Sequence, residues 1–211
     1  MFRKHSFRGE YYILYVVKRN EGFLMETVIK KYSSLLGQLD RPTLTHSKNV
    51  AEACRFLAES VKLDADVAYI AGYLHDVGKM YIPSRILNKN SGLDNLERRI
   101  VDLHAYYGYE LIRNIEEDER IYLSALYHHG FEKPTLSEVR KDISYEVRKY
   151  IQIVHSADIY DALTMSRVYH EPFTAEQIFN ILSTDELCTD EIRHALVKFN
   201  KRSEVQEETI A

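Results

Sequence analysis

The stretch Ala65–Met80, "ADVAYIAGYLHDVGKM", decides how this chain is read. It is apolar nearly all round, the pattern of a helix buried on every side and therefore central to its domain. Asp64, just before it, is a fair N-cap. Then His75, Asp76 and Lys79 interrupt the apolar run. Isolated polar groups in such surroundings are costly to desolvate, so they need compensation. Either they satisfy one another in the core or they share a ligand. A metal ion is the ligand best suited to imidazole and carboxylate together.

Working outward, the flanking segments also carry helical spacing. On the N-terminal side "FLMETVIKKYSSLLGQL" (Phe23–Leu39) is one such segment. "DRPTLTHSKNVAEACRFLAESVKL" (Asp40–Leu63) follows, with Pro42 in its first turn and a stripe of Val50, Cys54, Leu57 and Val61. On the C-terminal side "YIPSRILNKNSG" reads as a loop. Helices are then expected at Leu93 to about Asn114, at "DERIYLSALYHHG" stopped by Gly130, and along "ISYEVRKYIQIVHSADIYDALTMSR". Two shorter ones, "TAEQIFNILS" and "TDEIRHALVKF", close the chain. With only four prolines and eight glycines there are few obligatory breaks, and the expected fold is all-α with a single core. Residues 1–22 form an N-terminal extension, strand or helix. Residues 23–200 form the domain, and 201–211 a polar tail that frays.

Bulk properties remove several function classes. A length of 211 residues suits one large domain, or one domain with a small appendage. A net charge of −4, with no dense Lys/Arg run, gives no footprint for a nucleic-acid polymer. The longest apolar runs, such as "YYILYVV", fall far short of the ~20 residues that span a bilayer. No charged-then-apolar leader opens the sequence, so no membrane partner and a cytoplasmic location are expected. Cys54 and Cys188 form no CxxC pair and read as ordinary packing residues. A homodimer remains open, and residues 1–22 could serve as its contact.

The candidate metal ligands recur along the helices. His46 lies early in the second predicted helix, and His75-Asp76 closes the central one. His104 is mid-helix, His128-His129 ends the next, and Asp158 lies in the long helix three residues before Asp161. Adjacent helical residues diverge by about 100°, so His-Asp and His-His pairs converge best at a helix terminus. Taken singly, His46 or His104 is more often a hydrogen-bonded core or surface histidine. His128-His129 could be a pair favoured by the helix dipole, Lys79 a solvated lysine, and Arg167 an ion-pair partner of Asp161.

The order His46, His75-Asp76, Asp158 resembles the H…HD…D signature of the HD-domain metal-dependent phosphohydrolases. "LHDVGKMYIPSRILNKNSGL" (Leu74–Leu93) resembles the HDxGKxxIPxxIL segment of their HD-GYP branch. "DLHAYYGYELI", "ALYHHG" and "ADIYDALTMSRVY" resemble its later His-xxx-Gly, His-His and ADxxDALTxxRxY segments, in family order from Thr43 to Tyr169. One departure concerns the loop after the His-His pair. The branch carries a GYP sequence there, whereas this chain has "GFEKPTLSEV" (Gly130–Val139), which makes cyclic di-GMP a doubtful substrate. Pro42 stands where some members carry a glutamate for a third metal, so two ions are expected rather than three.

The resemblance implies a single helical bundle holding two divalent ions, Fe or Mn ahead of Zn, Ni or Mg. His46, His75, Asp76 and Asp158 would hold one ion. Asp76, His104, His128 and His129 would hold the other, with Asp76 bridging. A metal-activated hydroxide would attack phosphorus in a nucleotide or cyclic dinucleotide, with Asp76 and Lys79 in catalytic roles. Lys79 and Arg167 would meet the phosphate, and Asp161 would orient a ligand or cap something local. His5, His155, His170 and His194 fall outside the pattern and read as structural. Tyr81, Tyr107 and Tyr169 are candidates to line a pocket, although sixteen tyrosines read first as packing. Against the enzyme stands a non-catalytic HD-like sensory or docking module, which predicts lost ligands where this chain retains every one of the two-metal set.

Overall fold

The computed structural model describes residues 30–32, 35–131, 142–164 and 173–210, with side chains described as far as Asn200. The chain divides into two units, Met1–Gln38 and Leu39–Ala211. In the first, residues 30–32 and 35–36 are helical, within the span expected to be helix from Phe23. The 1–22 extension and the boundary after it lie outside the described residues.

The second unit is helical, and among its described residues no strand occurs. Helix α1 (Arg41–Ser60) starts at Asp40, whose carboxylate accepts from Thr43 N at 2.8 Å. Pro42 sits in that first turn, where its missing N–H would have had no helical partner. Of the expected stripe, Val50, Cys54 and Leu57 are buried, while Val61 caps the helix and is half-exposed. Helix α2 (Ala65–Leu74) is capped by Asp64, which accepts from Asp66 N and Val67 N. The two helices cross at backbone distance, because a Cβ on Gly72 would stand 2.8 Å from Cys54 Sγ and 3.0 Å from Ala51 Cα.

Helix α2 ends at Leu74, at the His75-Asp76 pair expected to close it and short of the Met80 end of the Ala65–Met80 stretch. The chain then tightens into a 3₁₀ turn, Val77–Tyr81. The cause is a long-range contact. Gly78 is pressed onto the next long helix, α4, so closely that a Cβ there would meet His104 O at 2.0 Å and Gly108 N at 2.4 Å. The segment read as a loop also differs, since Ser84–Leu87 forms a short helix, α3. Ile86 N and Leu87 N donate to Pro83 O, and the buried Ile86 anchors the turn. Pro83 lacks an N–H but loses nothing at a helix start.

Helix α4 (Asn95–Arg113) opens with a capping box between Asp94 and Glu97. Helix α5 (Glu119–Tyr127) is capped by Asp118 and ends at His128, with Gly130 following at φ +104, a conformation that suits glycine. Helix α6 (Tyr145–Thr164) packs against α1, α2 and α5. Helices α7 (Ala175–Ser183) and α8 (Asp190–Ile210) complete the bundle. The backbone of the tail expected to fray after Asn200 is helical to Ile210.

Leu123, Leu126 and Tyr127 of α5 pack with Val147 and Ile151 of α6. Each aliphatic side chain so buried contributes about 1.5–3 kcal/mol. That packing fixes the C-terminal end of α5, and with it His128-His129, beside Asp158 of α6. No helix among the described residues is long and apolar enough to cross a membrane.

Candidate metal centre

The seven candidate ligands are delivered by five parts of the bundle. His46 comes from α1, His104 from α4 and Asp158 from α6. His75 is the C-cap of α2 with Asp76 next to it, and His128 is the C-cap of α5 with His129 next to it. Both pairs therefore sit where the helix is ending and adjacent side chains can be turned toward one volume. His46, His75 and Asp76 offer donor atoms within 4.8 Å of one another, as do His104, His128 and His129, and as do His75, His128 and Asp158.

The two oxygens of Asp76 face different partners. Oδ2 lies 3.6 Å from His46 Nε2 and 3.4 Å from His75 Nε2. Oδ1 lies 3.2 Å from His104 Nε2 and 3.9 Å from His128 Nε2. Asp158 closes the first set, with Oδ1 3.0 Å from His46 Nε2 and 3.9 Å from His75 Nε2. His129 joins the second set, its Nε2 3.2 Å from His104 Nε2. Donors held about 2.1 Å from one ion stand roughly 3.0–3.4 Å apart. Several of these separations fall in that range.

Hydrogen bonding decides which ring nitrogen faces the centre. Nδ1 of His75 donates to Gly72 O at 2.7 Å, that of His104 to Val101 O at 2.5 Å, and that of His128 to Ala125 O at 2.8 Å. A carbonyl only accepts, so each Nδ1 carries the hydrogen and each neutral ring turns an Nε2 lone pair inward. His46 Nδ1 donates to Asp161 Oδ2 at 2.6 Å, which orients that ring in the same way. The lone pairs of His104 and His128 thus meet at 3.2 Å with no hydrogen between them. His75 Nε2 and Asp76 Oδ1 are buried without a hydrogen bond, and His104 Nε2, 3.2 Å from Oδ1, faces it with a lone pair because its hydrogen is on Nδ1. Converging lone pairs and orphaned buried atoms are what a cation would satisfy, so the donor set fits divalent ions.

Electrostatics keep the groups in ligand-ready forms. Burial pushes the Asp76 carboxyl up, but the charge of Lys79 and the neighbouring histidines outweigh it and hold it well below the ordinary range. Burial likewise opposes ionisation of Asp158, but the hydrogen bond with His46 outweighs it and holds the carboxyl far down. His75 and His128 are lowered mainly by burial and stay neutral. His46 is the exception. Burial works against its protonation, yet Asp158 and Asp161 raise it to about 9. With no cation present, His46 itself supplies positive charge to the acidic side of the site.

Lys79 lies in the 3₁₀ turn with its ammonium paired to Asp76 Oδ2. Arg167, Tyr169, His5, His170 and most of the loop that replaces the GYP sequence lie outside the described residues. Tyr81 and Tyr107 pack edge to face on each other, ring centroids 5.6 Å apart. His194 is bonded to its own helix at Asp190 O. His155, read as merely structural, is in contact with the site, its Nδ1 2.6 Å from His128 O. The available signal was its spacing, since His155 and Asp158 are three apart and share a helix face.

Comparison with known proteins speaks to the family and the fold. The family model described as HD domain matches residues 43–166. The chain is 31% identical over 160 residues to 3'3'-cGAMP-specific phosphodiesterase 2 of Vibrio cholerae, covering 73% of this chain and 29% of the relative. It spans about a third of the length of the curated relatives it matches. Among solved structures, the HD domain of the L. monocytogenes phosphodiesterase PgpH superposes with a TM-score of 0.59 at 18% identity, covering 84% of this chain and 98% of that one. The same domain in complex with cyclic-di-AMP gives a TM-score of 0.56 at 21% identity, covering 82% and 94%. At those identities the superpositions speak for the fold. The family match spans more than half of the 211 residues and takes in every candidate ligand, from His46 to Asp158, and the chain belongs to the HD domain family.

Proposed function

We propose that this protein is a metal-dependent phosphohydrolase that cleaves a phosphoester of a nucleotide or cyclic dinucleotide at a dinuclear centre. The observation that carries the reading is the division of Asp76, with Oδ2 toward His46 and His75 and Oδ1 toward His104 and His128. One carboxylate with a separate donor set at each oxygen is the requirement for a bridge between two ions. When bound, the ions supply a Lewis acid for a phosphoryl oxygen and make a water acidic enough to act near neutral pH.

The chain's own residues supply the rest. Asp161 holds His46 with its Nε2 inward, and the backbone carbonyls of Gly72, Val101 and Ala125 do the same for His75, His104 and His128. Lys79 is about a quarter exposed and pairs with Asp76. A substrate phosphate competes with that carboxylate for the ammonium, so Lys79 binds and neutralises the phosphoryl oxygens. By resemblance of its segment to the family's ADxxDALTxxRxY pattern, Arg167 is assigned as a second cation for the phosphate. Apolar packing around α2 keeps bulk water away from the buried side of the centre.

The substrate class draws support from the cGAMP phosphodiesterase relative and from the cyclic-di-AMP bound to the structural neighbour. The chain lacks the GYP sequence, so cyclic di-GMP is the poorer substrate of the set. The test is release of linear dinucleotide or phosphate from a panel of cyclic dinucleotides and simpler phosphoesters by Mn- or Fe-loaded protein. Turnover that vanishes in Asp76→Asn is expected. Turnover that survives that substitution overturns the mechanism.

A further inference from the structure

His155 bonds to two partners that belong to different parts of the chain. It lies on α6, buried, with Nδ1 2.6 Å from His128 O and Nε2 2.9 Å from Asp185 Oδ2. Asp185 sits in the turn between α7 and α8 and is itself held, its Oδ1 accepting from Leu187 N at 2.8 Å and Cys188 N at 3.3 Å. Burial raises the Asp185 carboxyl, but the hydrogen bond from His155 and the two backbone N–H groups outweigh it and keep it ionised. A continuous hydrogen-bonded path therefore runs from the α7–α8 turn to the carbonyl of His128.

That carbonyl belongs to the peptide plane joining His128 to His129. Both residues are candidate ligands of the same ion, and their ring centroids are only 3.9 Å apart, with planes inclined by 46°. Neighbouring side chains at the end of a helix meet on one ion only for a narrow range of orientations of the peptide between them. The His128 carbonyl is also beyond the last turn of α5, where helical carbonyls lose their intrahelical partner. Without His155 that peptide would be free to rotate toward water.

The geometry points to His155 and Asp185 as a positioning clamp that sets the bite of His128-His129 and so governs the affinity of one ion of the pair, the one shared with His104. This rests on the dinuclear reading above. It makes a prediction that a general stabilising role does not, namely that the two ions respond unequally. Loss of the clamp weakens the histidine-rich position and spares the position at His46, His75 and Asp158.

The experiment titrates the metal-stripped 211-residue chain with Co²⁺ alone, following visible absorption and binding stoichiometry against a competing chelator. The wild type is expected to take up two ions. In Asp185→Asn and His155→Ala, folded by circular dichroism, one ion is expected to bind about 10–100-fold more weakly while the other is unchanged. His155→Gln, which restores a donor to the His128 carbonyl, is expected to recover part of the loss. Asp185→Asn sits in a half-exposed turn, so it reads the clamp even if His155→Ala fails to fold. Two ions of unchanged affinity, or two weakened equally, overturn the clamp alone. A wild type that binds fewer than two ions overturns the clamp together with the dinuclear reading.

Discussion

The carboxylate of Asp161 acts on the site through the ring of His46, whose Nδ1 it holds at 2.6 Å. Removing it in Asp161→Ala should free that ring to turn and lower metal affinity about 10–100-fold, measured by chelator competition. Asp161→Asn keeps an acceptor and should lose less. Lys79 makes the opposite case. Its ammonium pairs with Asp76, and a ligand for an anion is not a ligand for a cation. Lys79→Met should therefore leave metal content intact while kcat/KM falls about 10²–10³-fold, the usual cost of losing one charge-stabilising donor. A drop in bound metal in Lys79→Met would reassign that residue to holding the centre together. Of these residues, the ligand candidates were legible in the sequence because their types and order match a family pattern. His155 was signalled only by its place three residues before Asp158 on α6, because the partner that gives it its importance is a carbonyl contributed by residue 128.

At the scale of elements, the 3₁₀ turn Val77–Tyr81 carries Lys79, follows directly on Asp76 and is seated on α4, which carries His104. Gly78 is what lets them touch, since the atoms a Cβ would strike belong to the backbone and cannot give way cheaply. Gly78→Ala should destabilise the fold by about 2–3 kcal/mol, and the metal content should fall with it as Asp76 and His104 separate. Gly92→Ala, where a Cβ meets nothing within 4 Å, is the matched control and should change neither. The start of α2 was read from its aspartate cap, Asp64, and the structure shows Asp40, Asp94 and Asp118 capping α1, α4 and α5 in the same way, through local hydrogen bonds. An end at His75-Asp76 was readable from the polar pair, but the tight turn Val77–Tyr81 that follows was not. It is imposed by α4, some thirty residues further on, and periodicity within α2 gives no sign of it.

Asp118 offers a pH test of one such cap. Burial raises its carboxyl, but the hydrogen bonds to the Arg120 side chain and backbone N–H and the charge of Arg120 outweigh it and leave it lowered. A carboxyl more acidic in the folded state adds stability that is full above its unfolded pKa, about 3.9. That stability is lost as the pH falls through the folded value. The difference in urea stability between wild type and Asp118→Ala should be about 1 kcal/mol near pH 6. It should shrink below about pH 4. A difference that grows on acidification would contradict this assignment.

For the whole molecule, candidate ligands gathered from α1, α2, α4, α5 and α6 would couple metal binding to the stability of the fold. An ion at a hundredfold excess over its Kd stabilises by about 2.7 kcal/mol. For a domain of this size that raises Tm by about 5–10 °C. A chelator should reverse the rise. The most direct measurement is anomalous diffraction from a crystal of the protein loaded with Mn²⁺. Two peaks are expected about 3.5–4 Å apart, one on each side of the Asp76 carboxylate. One peak alone, or peaks away from Asp76, would contradict the bridged centre on which the proposed chemistry depends.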